Sequence, residues 1–189
     1  MRSEQELLLN LQRGDPSAWE EYVHIFGKQL YNYLYHQLPT VEDIEDVMSE
    51  TMEASVSALQ RFDGKVPLRT FLFSIANHKM VDYWRKHKRT KALDDSLDDS
   101  LVDKSNDLEI MDFRDLLDKL PENYRQVLLL RYQIGMSVSE IAAINKSTYK
   151  SAESLLTRAR NQLQLLLTES AKIPTRSSWK HPMNLLFNA

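Results

Sequence analysis

The 189-residue chain carries a formal net charge of −3, no cysteine, and only four glycines and six prolines. The missing cysteines exclude disulfides, thiolate metal sites and cysteine redox chemistry. No apolar run approaches the roughly 18 residues needed to span a bilayer, and the opening residues MRSEQELLLNLQRGD lack the apolar core of a secretory signal. Sparse helix breakers and abundant Leu, Glu, Lys, Gln and Ala predict an all-α protein.

In chain order, Ser3 and Glu6 form a capping box that opens a helix closed by Gly14. Asp15 then caps a second helix with Pro16 at its first position. Its apolar stripe is Trp19, Tyr22, Val23, Phe26, Leu30, Tyr33, Leu34 and Leu38, and Pro39 ends it. Thr40 starts a third helix with Ile44, Val47, Met48, Thr51, Met52, Val56, Leu59 and Phe62 inward. The loop Asp63-Gly64-Lys65-Val66-Pro67 breaks the pattern, and a fourth helix from Leu68 to about Arg89 buries Leu68, Phe71, Leu72, Ile75, Ala76 and Trp84.

The segment that follows pairs Asp residues with isolated leucines and has no aromatic residue. It cannot bury enough apolar area to offset ordering entropy, so residues 91–107 read as a flexible acidic linker. A second domain over 108–170 begins with Ile110, Phe113, Leu116, Leu117 and Leu120, closed by Pro121. Tyr124, Val127, Leu128 and Leu130 line the next helix, which ends near Gly135. Ser137 and Glu140 then form a capping box for a short helix with Ile141, Ala142 and Ile144 inward. Ser147 or Thr148 can cap a longer one with Ala152, Leu155, Leu156, Ala159, Leu163, Leu166 and Leu167 on one side. Short helix, tight break and long helix is the pattern of a helix-turn-helix, whose second helix commonly enters the DNA major groove. Two packed helices with a solvated face would look the same. Residues 171–189 form a tail with Pro174, Trp179, Pro182 and Phe187.

Charge is banded along the chain. Residues 41–53 hold six acids and no base; 79–91 hold six bases against Asp82; 92–109 hold seven acids against Lys104. Such banding suits a chain that faces more than one partner. A carboxylate metal site is the enzymatic alternative for the acidic helix. Di-iron bundles need two Glu-x-x-His pairs, and Glu21–His24 is the single such pair in this sequence.

The stretches LQRGDPSAWEEYVHIFGKQLYNYL, VEDIEDVMSETM and ALQRFDGKVPLRTFLFSIANHKMVDYWRKHKR resemble region 2 of bacterial sigma factors. DLLDKLPENYRQVLLLRYQIGMSVSEIAAINKSTYKSAESLLTRAR resembles their region 4. Two such regions joined by a short linker resemble the extracytoplasmic-function group of the sigma-70 family, over about residues 6–167. The resemblance implies region 2 over 1–90 and region 4 over 108–170. It implies core RNA polymerase and promoter DNA as partners, with an anti-sigma factor as restraint. It also implies a cytoplasmic location, no membrane insertion, and no cofactor, metal or catalytic residue.

Residue by residue, the resemblance places Asp43, Asp46, Ser49 and Glu50 on the helix that docks onto core polymerase. The loop and the fourth helix become the reader of the minus-ten element: Asp63, Gly64, Lys65, Arg69, His78, Lys79, Tyr83, Arg85 and Lys86. The loop of the family pockets a base flipped out of the non-template strand. The linker corresponds to a tether that passes near the active-site cleft of the polymerase. Lys146, Ser147, Thr148, Tyr149, Lys150, Ser151, Glu153, Ser154, Thr157 and Arg158 fall where the family contacts the minus-thirty-five element. His78 stands where many relatives have Asn, Phe71 where many have Trp, and Glu153 where many have a base. An acid there can accept from cytosine N4 but repels phosphate. A stand-alone helix-turn-helix regulator is the alternative reading; it leaves the acidic helix and the 63–89 block without a role.

Overall fold

A computed structural model describes residues 2–93 and 114–170, and every element in them is helical. The linker expected at 91–107 lies largely, and the tail at 171–189 wholly, outside the described residues. The chain divides into two compact units, one built mainly from the helices before residue 94 and one mainly from those after residue 113.

The first unit holds α1 (Glu4–Gln12), α2 (Pro16–Tyr35), α3 (Val41–Leu59) and α4 (Leu68–Leu93). Each of the first three starts where the sequence supplies a cap. Ser3 and Glu6 form the reciprocal box. Asp15 accepts from the Ser17 N–H at 2.9 Å, and Thr40 accepts from the Asp43 N–H at 3.1 Å. These side chains satisfy donors that the first helical turn leaves open. The Ser17 hydroxyl also donates to Asp15 and, as the largest cause, holds its carboxyl below the ordinary value.

The core of this unit is a seam of Leu11, Tyr22, Leu30, Tyr33, Leu34, Ile44, Leu59, Leu72 and Phe73, all at most 1 % exposed. Burying each such side chain contributes about 1.5–3 kcal/mol before entropy is counted. Tyr33 and Phe73 meet edge to face with centroids 5.2 Å apart. The inward line of α3 differs from the expected one. It runs through Ile44, Val47, Thr51, Ser55 and Leu59, while Val56 is 45 % exposed. The buried hydroxyls are satisfied within the helix: Thr51 donates to the Val47 carbonyl and Ser55 to that of Met52, both at 2.7 Å. A small residue suits position 55 because Ser55 lies beside the fully buried Tyr22 side chain of α2. Val23, expected inward on α2, is likewise 49 % exposed. In α4, Thr70, Phe73, Met80 and Tyr83 are buried, whereas Phe71, Ile75 and Trp84 are half-buried.

The second unit holds a helical stretch over 114–118 (α5), α6 (Glu122–Leu128), a π-helical continuation over Leu129–Gln133, α7 (Val138–Ile144) and α8 (Tyr149–Ser170). Leu116, Leu117, Leu120, Val127, Leu130, Ile141, Ile144, Ala152, Ala159 and Leu163 form its core. The π-turn is an element that apolar spacing does not reveal. It widens the helix just before Gly135, which takes a left-handed φ of 76°. Arg131 donates to the Met136 carbonyl at 2.8 Å and ties down the turn that leads into α7.

Candidate promoter-binding surfaces

The acidic helix α3 presents Asp46, Ser49 and Glu50 to solvent, with Asp43 half-buried one turn earlier. Spacing of three and four puts Asp43, Asp46 and Glu50 on one side of the helix. Two of these acids already have partners. Asp43 accepts from the Thr40 hydroxyl at 2.5 Å, and Glu50 pairs with Lys79 of α4 at 3.0 Å. The acidic and basic bands therefore meet across α3 and α4, a contact that the sequence does not disclose. Among the described residues no group of three or more His, Cys, Asp or Glu side chains converges as a metal site would require. Glu21, half of the lone Glu-x-x-His pair, is held by Arg2 at 3.4 Å.

The segment from Phe62 to Pro67 bridges α3 and α4 and is exposed from Asp63 to Pro67. Gly64 takes a φ of 71°, which costs least for glycine. Asp63 and Lys65 fold the loop on itself: the Asp63 carboxylate accepts from the Lys65 N–H at 3.2 Å and pairs with its ammonium at 2.6 Å. The Lys65 side chain, as the largest cause, holds the Asp63 carboxyl below the ordinary value, and Asp63 raises Lys65 in return. Behind the loop, Phe62 and Phe71 pack ring to ring at 4.3 Å. An open groove of about 510 Å³ lies between the loop and α1, walled by Glu4, Gln5, Leu8 and Leu9 on one side and Phe62–Leu68 on the other. The α1 wall was missed in the sequence. Its residues stand more than fifty positions from the loop, and no local pattern announces the meeting.

Along α4, His78, Arg85 and Lys86 are exposed, Arg69 and Lys79 half-buried. Asp82 gathers two of them, Arg85 at 2.7 Å and the His78 ring at 3.5 Å. Tyr83 departs from expectation: its ring is 9 % exposed, lies 3.9 Å from the His87 ring and meets Trp84 edge to face. Burial first, and then the nearby Asp43 carboxylate, push its phenol well above the ordinary value. It packs within the helical unit in this structure, with little of its surface open to solvent.

In the second unit, Ser137 and Glu140 form the expected capping box, with the Ser137 N–H donating to Glu140 at 2.8 Å. Thr148, the second of two candidates, caps α8 by accepting from the Ser151 N–H at 3.2 Å. Between the helices, the Ser147 N–H reaches the Ala142 carbonyl at 2.9 Å, and Lys146 sits at a left-handed φ of 49°. That is a Schellman closure with lysine where glycine is usual. Lys146, Ser147, Thr148, Tyr149, Lys150, Ser151, Glu153, Ser154, Thr157 and Arg158 are all exposed, on the side of α8 opposite Ala152, Leu156, Ala159 and Leu163. A helix N-terminus with lysine, arginine and hydroxyl groups on one open face can meet phosphates and base edges together.

Family models match both units. The model described as "Sigma-70 region 2" covers residues 23–90, and that described as "Sigma-70, region 4" covers 110–163. RNA polymerase sigma factor YlaC of Bacillus subtilis is 25% identical over 160 residues, 80% of this chain and 92% of that protein. The ECF RNA polymerase sigma factor SigM of the same organism is 26% identical over 153 residues, 78% of this chain and 93% of its own. The structure of CnrH in complex with the cytosolic domain of CnrY is 28% identical and has a TM-score of 0.71, covering 88% of this chain and 97% of that one. RpoE from Bartonella quintana, solved with the anti-sigma factor NepR, shares the fold at 22% identity and a TM-score of 0.69, covering 82% of this chain and 98% of its own.

Proposed function

The chain belongs to the extracytoplasmic-function group of the sigma-70 family, and from that premise we infer that it binds core RNA polymerase and directs it to a defined set of promoters. The observation that carries this reading is the presence in one chain of an open-faced helix-turn-helix and of a four-helix unit with an acidic helix and a grooved, self-paired loop. A stand-alone repressor would need the first and have no use for the second.

The division of labour follows the charges. Asp43, Asp46, Ser49 and Glu50 of α3 dock onto a basic surface of the polymerase. Asp63, Gly64, Lys65, Arg69, His78, Lys79, Arg85 and Lys86 hold the minus-ten element once it opens, and Tyr83 supports α4 from inside. The groove beside the loop suits an unstacked base: it is open, partly apolar, and edged by groups able to hydrogen-bond. Residues 146–158 read the minus-thirty-five duplex. Glu153 excludes phosphate at its position and accepts from cytosine N4, so the sequence it prefers differs from that of relatives with a base there. Residues 1–90 and 108–170 act as the two regions, joined by the 91–107 tether. Sigma factors are initiation factors rather than enzymes; the polymerase supplies the chemistry, and this chain contributes no catalytic residue, metal or cofactor. CnrH was solved with the cytosolic domain of CnrY and RpoE with the anti-sigma factor NepR, and an anti-sigma factor is proposed for this chain by the same logic. Among the described residues no helix is long and apolar enough to cross a membrane, and the proposed work is in the cytoplasm.

The test is reconstitution. The purified chain is expected to co-elute with core polymerase and to drive run-off transcription from a genomic promoter library. Asp46→Arg is expected to weaken core binding at least tenfold with an unchanged melting curve. A chain that binds duplex DNA tightly alone and ignores core enzyme is a repressor, and the proposal fails.

A further inference from the structure

One face of α1 meets the loop that joins α3 to α4 at three points, one per helical turn. Residues 4, 8 and 12 are spaced by four and so share that face. Gln12 donates its side-chain N–H groups to the Leu59 carbonyl at 3.0 Å and the Phe62 carbonyl at 2.8 Å, where α3 ends. Leu8 sits under the middle: a Cβ added at Gly64 would lie 3.1 Å from its Cδ2. Glu4 accepts a hydrogen bond from the Leu68 N–H, where α4 begins.

The Glu4 bond fills a need that the loop cannot meet itself, whereas the Leu59 carbonyl held by Gln12 also accepts from the Phe62 N–H at 3.2 Å. Helix C-termini leave carbonyls open and helix N-termini leave N–H groups open. The residue before α4 is Pro67, whose carbonyl accepts from the Phe71 N–H at 3.0 Å but whose side chain has no oxygen for capping. Glu4 supplies that cap from 64 positions upstream, with a negative charge at the positive end of the α4 dipole. α1 is itself anchored, since Arg2 donates to the Ser17 hydroxyl at 2.7 Å and pairs with Glu21 at 3.4 Å.

We infer that α1 is a splint for the promoter-reading loop, with Glu4 and Gln12 as positioning residues that set the width of the groove and hence its choice of base. This rests on the assignment of Asp63–Pro67 as the minus-ten reader. A recognition group must be held within a fraction of an ångström to discriminate. Here α1 fixes the two ends of the loop, through Gln12 at Leu59 and Phe62 and through Glu4 at Leu68.

The experiment uses holoenzyme reconstituted from core polymerase and full-length chain. Opening is read as permanganate reactivity of minus-ten thymines on a matched promoter and on one with a single base changed there. The matched-to-mismatched ratio cancels differences in folded fraction. Glu4→Ala and Gln12→Ala are expected to lower that ratio three- to tenfold, with core affinity and the minus-thirty-five footprint unchanged. Glu4→Gln keeps an accepting oxygen and is expected to stay within twofold of the parent. Lys65→Ala is the reference for the loop. If it lowers the ratio while Glu4→Ala and Gln12→Ala do not, the splint is overturned and the loop assignment stands. If Lys65→Ala has no effect either, the loop assignment falls and the splint with it. Reduced opening at an unchanged ratio in the α1 variants is loss of folded protein only, and also overturns the inference.

Discussion

The two units hold their cations differently. In the first, the cations assigned to DNA are already engaged: Lys65 with Asp63, Lys79 with Glu50, and Arg85 with Asp82, which also meets the His78 ring. In the second, Lys150 and Arg158 stand exposed and form no ion pair among the described residues. An open cation gains the full benefit of releasing counterions from duplex DNA. A paired cation must first exchange its partner. At an exposed site the cost of that exchange is small, low enough to be repaid on opened DNA yet enough to discourage casual binding. On the proposed assignment, the helix-turn-helix engages intact duplex at once, and the loop unit waits for separated strands.

The largest expected effect separates the two stages. Lys150→Ala combined with Arg158→Ala should weaken formation of the initial promoter complex by at least about thirtyfold, since each base-edge contact is worth about 1–3 kcal/mol and two are lost. The opening rate of complexes already formed should not change. Lys65→Ala should do the reverse. Filter binding for the first step and stopped-flow fluorescence of a minus-ten 2-aminopurine for the second read the two stages separately. Equal loss of initial binding in both variants would erase the distinction between the units.

A second contrast lies in how each unit turns its chain. Gly64 and Lys146 both occupy left-handed backbone, at φ 71° and 49°. The first is glycine with Leu8 close beneath; the second is a lysine with a charge to offer. A non-glycine residue there bears about 1–2 kcal/mol of strain. Gly64→Ala should therefore destabilise the first unit, through backbone and through the 3.1 Å approach to Leu8. Lys146→Gly should stabilise the second by about 1 kcal/mol while weakening promoter binding. Thermal melting with a probe in each unit gives the two signs. A destabilised Lys146→Gly would mean that the lysine supports the turn, and its strain would not be a concession to DNA.

These contrasts also mark what the residues disclose on their own. Caps at Ser3, Asp15, Thr40, Ser137 and Thr148 are local chemistry, so helix starts were legible. The open face of α8 followed from the spacing of its buried alanines and leucines. Beyond the π-turn and the Glu50–Lys79 contact, three things were not legible. Val23 and Val56 are apolar but lie at the edge of their stripes, and tight packing around Tyr22 favours Ser55 over a larger side chain. Tyr83 carries both a ring and a hydroxyl, so its type fits DNA and core alike until burial decides. Glu4 and Gln12 bond to backbone groups far along the chain, and backbone partners leave no trace in residue identity.

The smallest expected effect tests the link between the two kinds of surface. Glu50 is assigned to polymerase and Lys79 to DNA, yet they pair at 3.0 Å, with the glutamate side chain 49% and the lysine side chain 28% exposed. Such a pair contributes about 0.2–1 kcal/mol. When a basic surface of the polymerase takes Glu50, Lys79 is released, so core binding and DNA binding should favour one another by that amount. Glu50→Gln should raise the affinity of the first unit for minus-ten single strand by no more than about fivefold, and weaken core binding. The gain should vanish in a Lys79→Ala background and shrink as salt screens the pair. A gain of the same size without Lys79 would show that Glu50 repels the DNA directly. The self-pairing of the first unit would then be a general field of negative charge, with no specific exchange of partners.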